Sequence, residues 1–250
     1  ALAIVVAVLL LGARPEVVFA AWALGLLLAY ALLRQDLHDR PRWRPQATVY
    51  RAAAGFLWID LATCLYRRSD VVILHRAVSP AEVGQYAAAY RLFDGVLLLA
   101  APVALLLFRR LRLIRADAGA AQRLQGRALA AAAVAGAALA SAGAGLGPWV
   151  VGILYGQAYR HTAGPLVGWL FAAFVFVLPN YVLTQTAIAL DRQRCYVLGA
   201  GLAAATNLAL NLLLAPHHGA RGAALATIAT EAVLGTTLWL GLRGAAARAA

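Results

Sequence analysis

Apolar residues form eight segments along this chain, and short polar gaps separate them. Most segments approach the roughly 20 residues that an α-helix needs to cross the hydrocarbon core of a bilayer. None alternates strictly between apolar and polar positions, so the pattern predicts membrane-spanning helices rather than barrel strands. The predicted helices lie at residues 1–12, 17–33, 50–78, 84–108, 128–154, 165–190, 195–214 and 220–242.

Arginines in the gaps predict which side of a membrane each gap faces. Residues 34–51, 109–127, 191–194 and 243–250 are rich in arginine. The other gaps, with the helix ends beside them, hold only Arg14, Arg76, Arg160 and Arg221. Arginine-rich and arginine-poor gaps alternate along the chain, as eight membrane crossings require. The arginine-rich side is expected to be cytoplasmic.

Composition agrees with a membrane protein, because 63% of the residues are apolar and 13% are charged. Soluble domains are nearer half apolar and a quarter charged. The net charge of +12 could indicate nucleic acid, but the arginines lie in gaps rather than on one soluble face, so we expect no nucleic-acid partner. The two cysteines, Cys64 and Cys195, have no metal-binding spacing, so neither a metal nor another cofactor is expected.

The sequence therefore predicts an all-α fold, a polytopic bundle of about eight transmembrane helices. The polar loop 34–47 holds Pro41 and Pro45 and is expected to separate two helices from six. The chain begins at Ala1 and contains no methionine, so we expect a truncated part of a longer protein. On that interpretation residues 1–12 are the cut end of a helix.

Leaving aside the segment ends, seven ionisable residues lie within the apolar segments. Each charge near the centre of a bilayer costs about 3 kcal/mol, so we expect these side chains to face a protein interior or a hydrated cavity. They are Asp60, Arg67, Arg68, Asp70, Arg91, Asp94 and Glu231.

Two pairs of opposite charge are three residues apart, Arg67 with Asp70 and Arg91 with Asp94. They have two interpretations: the arginines line a cavity for an anionic substrate, since guanidinium groups bind phosphate, or the pairs are internal and fix helix register. Arg68 has no such neighbour and could instead extend towards a membrane interface.

Further polar residues are expected on the same interior surface. Asp60 lies on the third helix, Tyr90 on the fourth, and Asn180 beside a kink expected at Pro179. Glu231 has no partner nearby in sequence. It is a candidate for proton or cation coupling, with a neutral, hydrogen-bonded packing residue as the alternative.

Two short motifs mark the predicted outer gaps. Ser79 and Glu82 in "SPAEV" have the spacing of a capping box at the start of the fourth helix. His217 and His218 in "PHHG" are expected to lie in a solvated turn rather than to bind a metal.

Three segments resemble the oligosaccharide flippases of the multidrug/oligosaccharidyl-lipid/polysaccharide exporter superfamily. They are "DVVILHRAVSPAEVGQYAAAYRLFDGV" at residues 70–96, "ILYGQAYRHTAGPL" at 153–166 and "NLALNLLLAPHHGARGAALATIATE" at 207–231. The order of these segments, and the predicted helices on which they lie, resemble the family pattern over residues 50–242.

The resemblance implies a partial two-lobe exporter-type fold around a central cavity. Residues 1–33 would be the last two helices of an N-terminal lobe and residues 34–49 a cytoplasmic interlobe linker. Residues 50–242 would be the six-helix C-terminal lobe, followed by a cytoplasmic tail at 243–250. Because rocking needs both lobes, this chain alone is not expected to transport.

The resemblance also implies a function without catalysis: flipping of a lipid-linked oligosaccharide, carried on undecaprenyl pyrophosphate, across the bacterial inner membrane for surface polysaccharide synthesis. Implied partners are that lipid, the bilayer and other polysaccharide-assembly proteins. The expected substrate-binding residues are Arg67, Arg68, Asp70, Arg91, Asp94, Tyr90, Asp60 and Asn180, with Glu231 for coupling.

Three alternatives remain. A drug/cation antiporter of the same superfamily would favour cationic substrates, which arginines in the cavity oppose. A membrane-embedded glycosyltransferase, ligase or polymerase would need a large catalytic outer loop, and the outer gaps here are short. A non-transporting scaffold of a polysaccharide-assembly complex also fits the sequence.

Overall fold

The computed structural model describes residues 47–247, together with Val17, Leu24, Leu27 and Leu28. The side chains of residues 47–53, 55, 56, 65–68 and 245–247 lie outside this description. The chain divides into two units, Ala1–Ala47 and Thr48–Ala250, and the second is described below. The predicted helices 1–12 and 17–33 and the loop 34–46 therefore lie outside the described residues, apart from those four positions.

Helix accounts for 93% of the described chain, and no strand occurs within it, so the all-α class is confirmed. The helices are α1 Ala47–Ala77, α2 Pro80–Leu113, α3 Ala118–Tyr155, α4 Gln157–Arg160, α5 Ala163–Ala172, α6 Phe174–Ala189 and α7 Gln193–Ala247.

Helix α7 contains two helices that meet at Gly219, whose backbone is non-helical with φ 54° and ψ −139°. Nδ2 of Asn207 donates a hydrogen bond of 3.1 Å to Oγ1 of Thr230. In one continuous helix those residues would be about 35 Å apart, so the chain must reverse its direction at Gly219. The two helices predicted at 195–214 and 220–242 are thus present as an antiparallel hairpin.

Three helical segments are long and apolar enough to cross a membrane: α2, α3 and Gln193–Gly244, the last of which contains both helices of the α7 hairpin. Helices α5 and α6 meet at a bend of 40° and satisfy the same criterion together, which gives up to four. Helix α1 is not among them, since Arg51 and Asp60 lower its mean hydropathy. The described residues therefore contain membrane-length helices, and the eight-helix count stays a prediction.

The bend between α5 and α6 lies at Ala173, whereas the sequence predicted a kink at Pro179, which lies inside α6. At the bend the backbone of Phe174 and Val175 packs directly against Gly136 of α3. The bend at Ala173 therefore occurs where the chain packs closely against α3. It does not occur at a proline.

Glycines allow α3 to approach α5 closely. A Cβ on Gly147 would lie 3.0 Å from the carbonyl oxygen of Gly164, and a Cβ on Gly164 would lie 2.5 Å from Cα of Pro148. Side chains would force these helices apart, so small residues hold the interface together by backbone-level contact. The alanine- and glycine-rich predicted helix 128–154 is present and longer than expected, at Ala118–Tyr155.

The additional length of α3 follows from its cap. Asp117 accepts a hydrogen bond of 2.8 Å from the backbone N–H of Ala120 and so starts the helix ten residues before the predicted apolar segment. Helix α2 likewise continues to Leu113. The arginines of residues 109–127 therefore lie mostly on helix ends rather than in a loop.

Large apolar side chains are exposed on the outer surface of the helices, and the mainly apolar interior also contains polar side chains. Leu98, Leu99 and Leu113 are 75–85% exposed. Asp70, Asn180, Asn207, Asn211, Thr184, Thr186, Thr227, Thr230 and Glu231 are buried. Exposed leucines together with buried polar groups are compatible with an apolar solvent around the bundle.

Gaps predicted to share one side of a membrane lie together at one end of the bundle. Nη1 of Arg112 and Nη1 of Arg115 contact the two carboxylate oxygens of Asp191 at 2.7 and 2.9 Å. Nη1 of Arg192 donates to the carbonyl oxygen of Leu242 at 2.9 Å. The gap after α2, the turn after α6 and the end of α7 are thereby joined.

At the opposite end Ser79 caps α2 by accepting a hydrogen bond of 3.3 Å from the backbone N–H of Glu82. The predicted capping box is only half formed, because Oε1 of Glu82 accepts from the backbone N–H of Ala220 at 2.9 Å. Glu82 therefore caps the second helix of α7. A negative charge is favourable at that position, where the helix begins.

Gly219→Ala tests the reversal in α7. Alanine at this φ and ψ is strained by about 1–3 kcal/mol, and its Cβ would meet the Glu82 carboxylate, so the variant should unfold at a lower temperature in detergent. Gly84→Ala is the matched control, since a Cβ there meets nothing within 4 Å and α2 is helical. Equal unfolding temperatures for Gly219→Ala and the parent would contradict the strained turn.

Asp191→Asn tests the contact between the α2 end and the α6–α7 turn. The hydrogen bond from Arg112 lowers the pKa of Asp191 below its ordinary 3.8, and the charges of Arg112 and Arg115 act in the same direction. The stabilisation is therefore present above pH 3.8 and is lost as the pH falls through the lower folded-state pKa.

Asparagine tolerates the left-handed backbone of residue 191, where φ is 57°, so the substitution isolates the charge. We expect the parent to be more stable than Asp191→Asn at neutral pH, by an amount that shrinks when thermal unfolding is repeated in acid. A difference that stays constant with pH would show that the carboxylate charge is unimportant.

Candidate functional site

A polar cavity of about 170 Å³ lies inside the bundle. Helices α1, α2, α6 and both parts of α7 contribute to its walls. Its described polar lining residues are Thr63, Tyr90, Asn180, Tyr181, Thr184, Gln185, Tyr196, Thr227 and Glu231. Three of the residues expected from sequence, Tyr90, Asn180 and Glu231, therefore meet at one cavity.

Asn180 connects α6 to the second helix of α7. Its Nδ2 donates to the backbone carbonyl oxygen and to Oε2 of Glu231, both at 2.8 Å. Asn180 is 4% exposed and Glu231 is 8% exposed. One amide group thus holds the backbone and the carboxyl of the same residue, which fixes the position of that carboxyl in the cavity wall.

The surroundings of Asn180 are shaped for this contact. Oγ1 of Thr184 donates to the carbonyl oxygen of Asn180 at 2.8 Å. A Cβ on Gly235 would lie 2.5 Å from Oδ1 of Asn180. The absence of a side chain at Gly235, one turn after Glu231, therefore allows the asparagine to reach α7.

Asp70 occupies a second buried position, on α1. It is 1% exposed and accepts a hydrogen bond of 2.6 Å from the hydroxyl of Tyr86. The rings of Tyr86 and Tyr90 are 5.7 Å apart, and those of Tyr90 and Phe93 are 5.4 Å apart. A continuous row of aromatic rings on α2 thus leads from Asp70 to the cavity.

The other expected site residues are distributed differently. Asp60 and Arg91 are exposed, and Asp94 is half-buried. The side chains of Arg67 and Arg68 lie outside the described part, although both positions belong to α1. Pairing of Arg67 with Asp70, like that of Arg91 with Asp94, stays a prediction.

A polar network that the sequence analysis did not identify ties both parts of α7 to α1. Oδ1 of Asn207 accepts from Oγ of Ser69 at 2.9 Å and from Nδ2 of Asn211 at 3.0 Å. Thr230 accepts from Nδ2 of Asn207. The four-residue spacing of Asn207 and Asn211 inside an apolar segment is the signal that could have revealed it.

The cavity presents hydroxyl and amide groups and one carboxyl group, and no arginine is among its described lining residues. No group of three or more His, Cys, Asp or Glu among the described residues could hold a metal. Chemically the site can accept and donate hydrogen bonds and can change charge at Glu231.

Asn180→Ala tests the link between α6 and α7. Loss of Nδ2 removes a donor from buried acceptors on Glu231, so we expect a loss of about 1–3 kcal/mol in unfolding free energy. Gln185→Ala, which truncates another amide in the same cavity, is the control and should have a smaller effect. Denaturant unfolding in detergent measures both, and similar effects of the two variants would contradict the role of Asn180.

Comparison of the chain with protein-family models, with curated proteins and with solved structures finds no match. The residues of the cavity and the resemblance of three sequence segments are therefore what support a function.

Proposed function

We propose that this chain forms part of a multi-pass transporter of the bacterial inner membrane that flips a lipid-linked oligosaccharide. The observation that carries the proposal is the polar cavity around Asn180 and Glu231, enclosed by helices whose outer surfaces are apolar. Ionisable groups inside a membrane are rare because of their cost, and they often mark transport pathways and proton relays.

The nature of the cargo is supported by the sequence resemblance. The segment 70–96 supplies Asp70, Tyr86 and Tyr90 to the interior, and the segment 207–231 supplies Asn207 and Glu231. Two of the segments that resemble the flippases thus contribute to the polar interior, together with residues of α6 outside those segments such as Asn180. An undecaprenyl-pyrophosphate oligosaccharide is the substrate class that this resemblance implies.

Glu231 is the proposed coupling residue. When the Glu231 carboxyl is protonated, its hydrogen bond with Asn180 joins two neutral groups. When the carboxyl is ionised, the hydrogen bond is charge-assisted and about twice as strong. Because Asn180 belongs to α6 and Glu231 to α7, this change alters how firmly the two helices are joined. A proton or cation gradient can thereby act on the packing of the bundle.

Contact with the anionic pyrophosphate is proposed for Arg67, Arg68 and Arg91. Arg91 is exposed on α2, and Asp60 is exposed on α1. In a two-lobe transporter an exposed polar surface of one lobe can face the other lobe. The guanidinium group of Arg91 would then bind phosphate between lobes rather than within this one.

One observation favours a second candidate, a drug/cation antiporter of the same superfamily. The described lining of the cavity combines a carboxyl with three tyrosines, Tyr90, Tyr181 and Tyr196, and includes no arginine. Carboxylates attract cations, and aromatic faces bind them as well. A cavity of this composition suits an organic cation better than a pyrophosphate.

The two candidates predict different transport by proteoliposomes that contain this chain within its complete natural protein. We expect fluorescent undecaprenyl-pyrophosphate oligosaccharide to be flipped, and Glu231→Gln to slow proton-driven flipping by about tenfold or more. Asp117→Asn is the control, since it removes one negative charge at an exposed N-cap where asparagine also caps.

Efflux of a cationic dye without lipid flipping would favour the antiporter. Absence of both activities in folded protein would overturn transport by this cavity. Flipping that is the same in the parent, Glu231→Gln and Asp117→Asn would retain the flippase and remove Glu231 from coupling.

A further inference from the structure

Three distant parts of the chain enclose a basic groove at the end of the bundle that carries Asp191. Its volume is about 780 Å³. Its walls come from the first turns of α3, the turn between α6 and α7, and the end of α7. The polar groups that matter are Arg115, Gln122, Gln125, Arg192, Trp239 and Arg243.

The groove keeps a positive charge after its internal contacts are counted. Among its described lining residues are three arginines and one carboxylate, that of Asp191. That carboxylate is shared by Arg115 and by Arg112. Arg192 donates through Nη1 to the carbonyl oxygen of Leu242, a contact that neutralises no charge.

Arg243 and the two glutamines are not needed for the contact around Asp191. The guanidinium carbon of Arg243 lies 4.1 Å from the centre of the Trp239 ring. Each guanidinium carries five N–H donors, of which such contacts use few. The groove therefore offers several donors of one charge at one place.

We propose that this groove binds the phosphate headgroup of an anionic phospholipid from the surrounding membrane. Basic pockets between helices at the cytoplasmic interface bind such headgroups, and tryptophan is enriched at the same depth. Leu129 and Leu242 provide an apolar wall beside the arginines for the start of an acyl chain. The inference rests on the proposed membrane placement and is independent of what the protein transports.

The occupant is a phospholipid rather than a soluble anion, because the groove lies at the ends of apolar helices. Both α3 and the Gln193–Gly244 hairpin, which form its walls, are long and apolar enough to span a membrane. A lipid headgroup is held at that depth by its own acyl chains, so binding does not require the concentration that a free anion would need.

The test compares lipid binding to detergent-purified protein by native mass spectrometry, with phosphatidylglycerol, phosphatidylcholine and inorganic phosphate as separate probes. The variant Arg115→Gln/Arg243→Gln removes two charges and leaves Arg112 on Asp191 to hold the turn. Arg127→Gln, on the same helix α3 but not in the groove, is the control for lost charge.

We expect phosphatidylglycerol to bind the parent and Arg127→Gln in preference to phosphatidylcholine. The double variant should bind phosphatidylglycerol about 25-fold more weakly, at about fivefold for each arginine. Equal affinity of parent and double variant, or binding of phosphate as tight as that of the lipid, would overturn the site. Recovery of the chain from the aqueous fraction, without detergent, would instead refute the membrane placement on which this lipid site depends.

Discussion

Hydrogen bonding between buried polar side chains is the constraint on which the arrangement of the described helices depends. The outer surface is rich in exposed leucine and valine, whereas asparagines, threonines and two carboxyl groups lie inside. An apolar surrounding offers these groups no water, so a buried polar group without a partner on another helix or on its own backbone is unfavourable. Among the described buried side-chain atoms, Oδ1 of Asn211 is the exception. The contacts of Asn180 and Asn207 meet this requirement and thereby determine which helices are adjacent.

Backbone proximity provides the second part of the packing. Gly143, Gly147 and Gly164 let α3 lie against α5 at distances that side chains would prevent. Such contact is needed because there is little hydrophobic driving force between helices in lipid. Polar contacts choose the neighbours, and small residues determine how closely the neighbours approach. Both kinds of residue are therefore least replaceable where they face the interior.

The sequence predicted helix type well, because long apolar segments without alternation admit no other structure in a membrane. It predicted the position of bends poorly, since Ala173 carries no local signal and the bend there accompanies contact with α3. The meeting of Tyr90, Asn180 and Glu231 was partly predictable, because intramembrane polar residues avoid lipid. The link from Glu82 to Ala220 was not, because it joins residues 138 positions apart.

Charge is divided between two regions of the described chain. Glu231 is buried in the cavity wall, whereas Arg115, Arg192 and Arg243 gather at one end of the bundle. This separation follows from solvation, because arginines reach the polar membrane interface while a single carboxyl can be held inside by an amide. A group that senses protons is useful only where its charge changes a contact, and the interior provides that condition. Groups that hold phosphate are useful where headgroups are present, which is the interface.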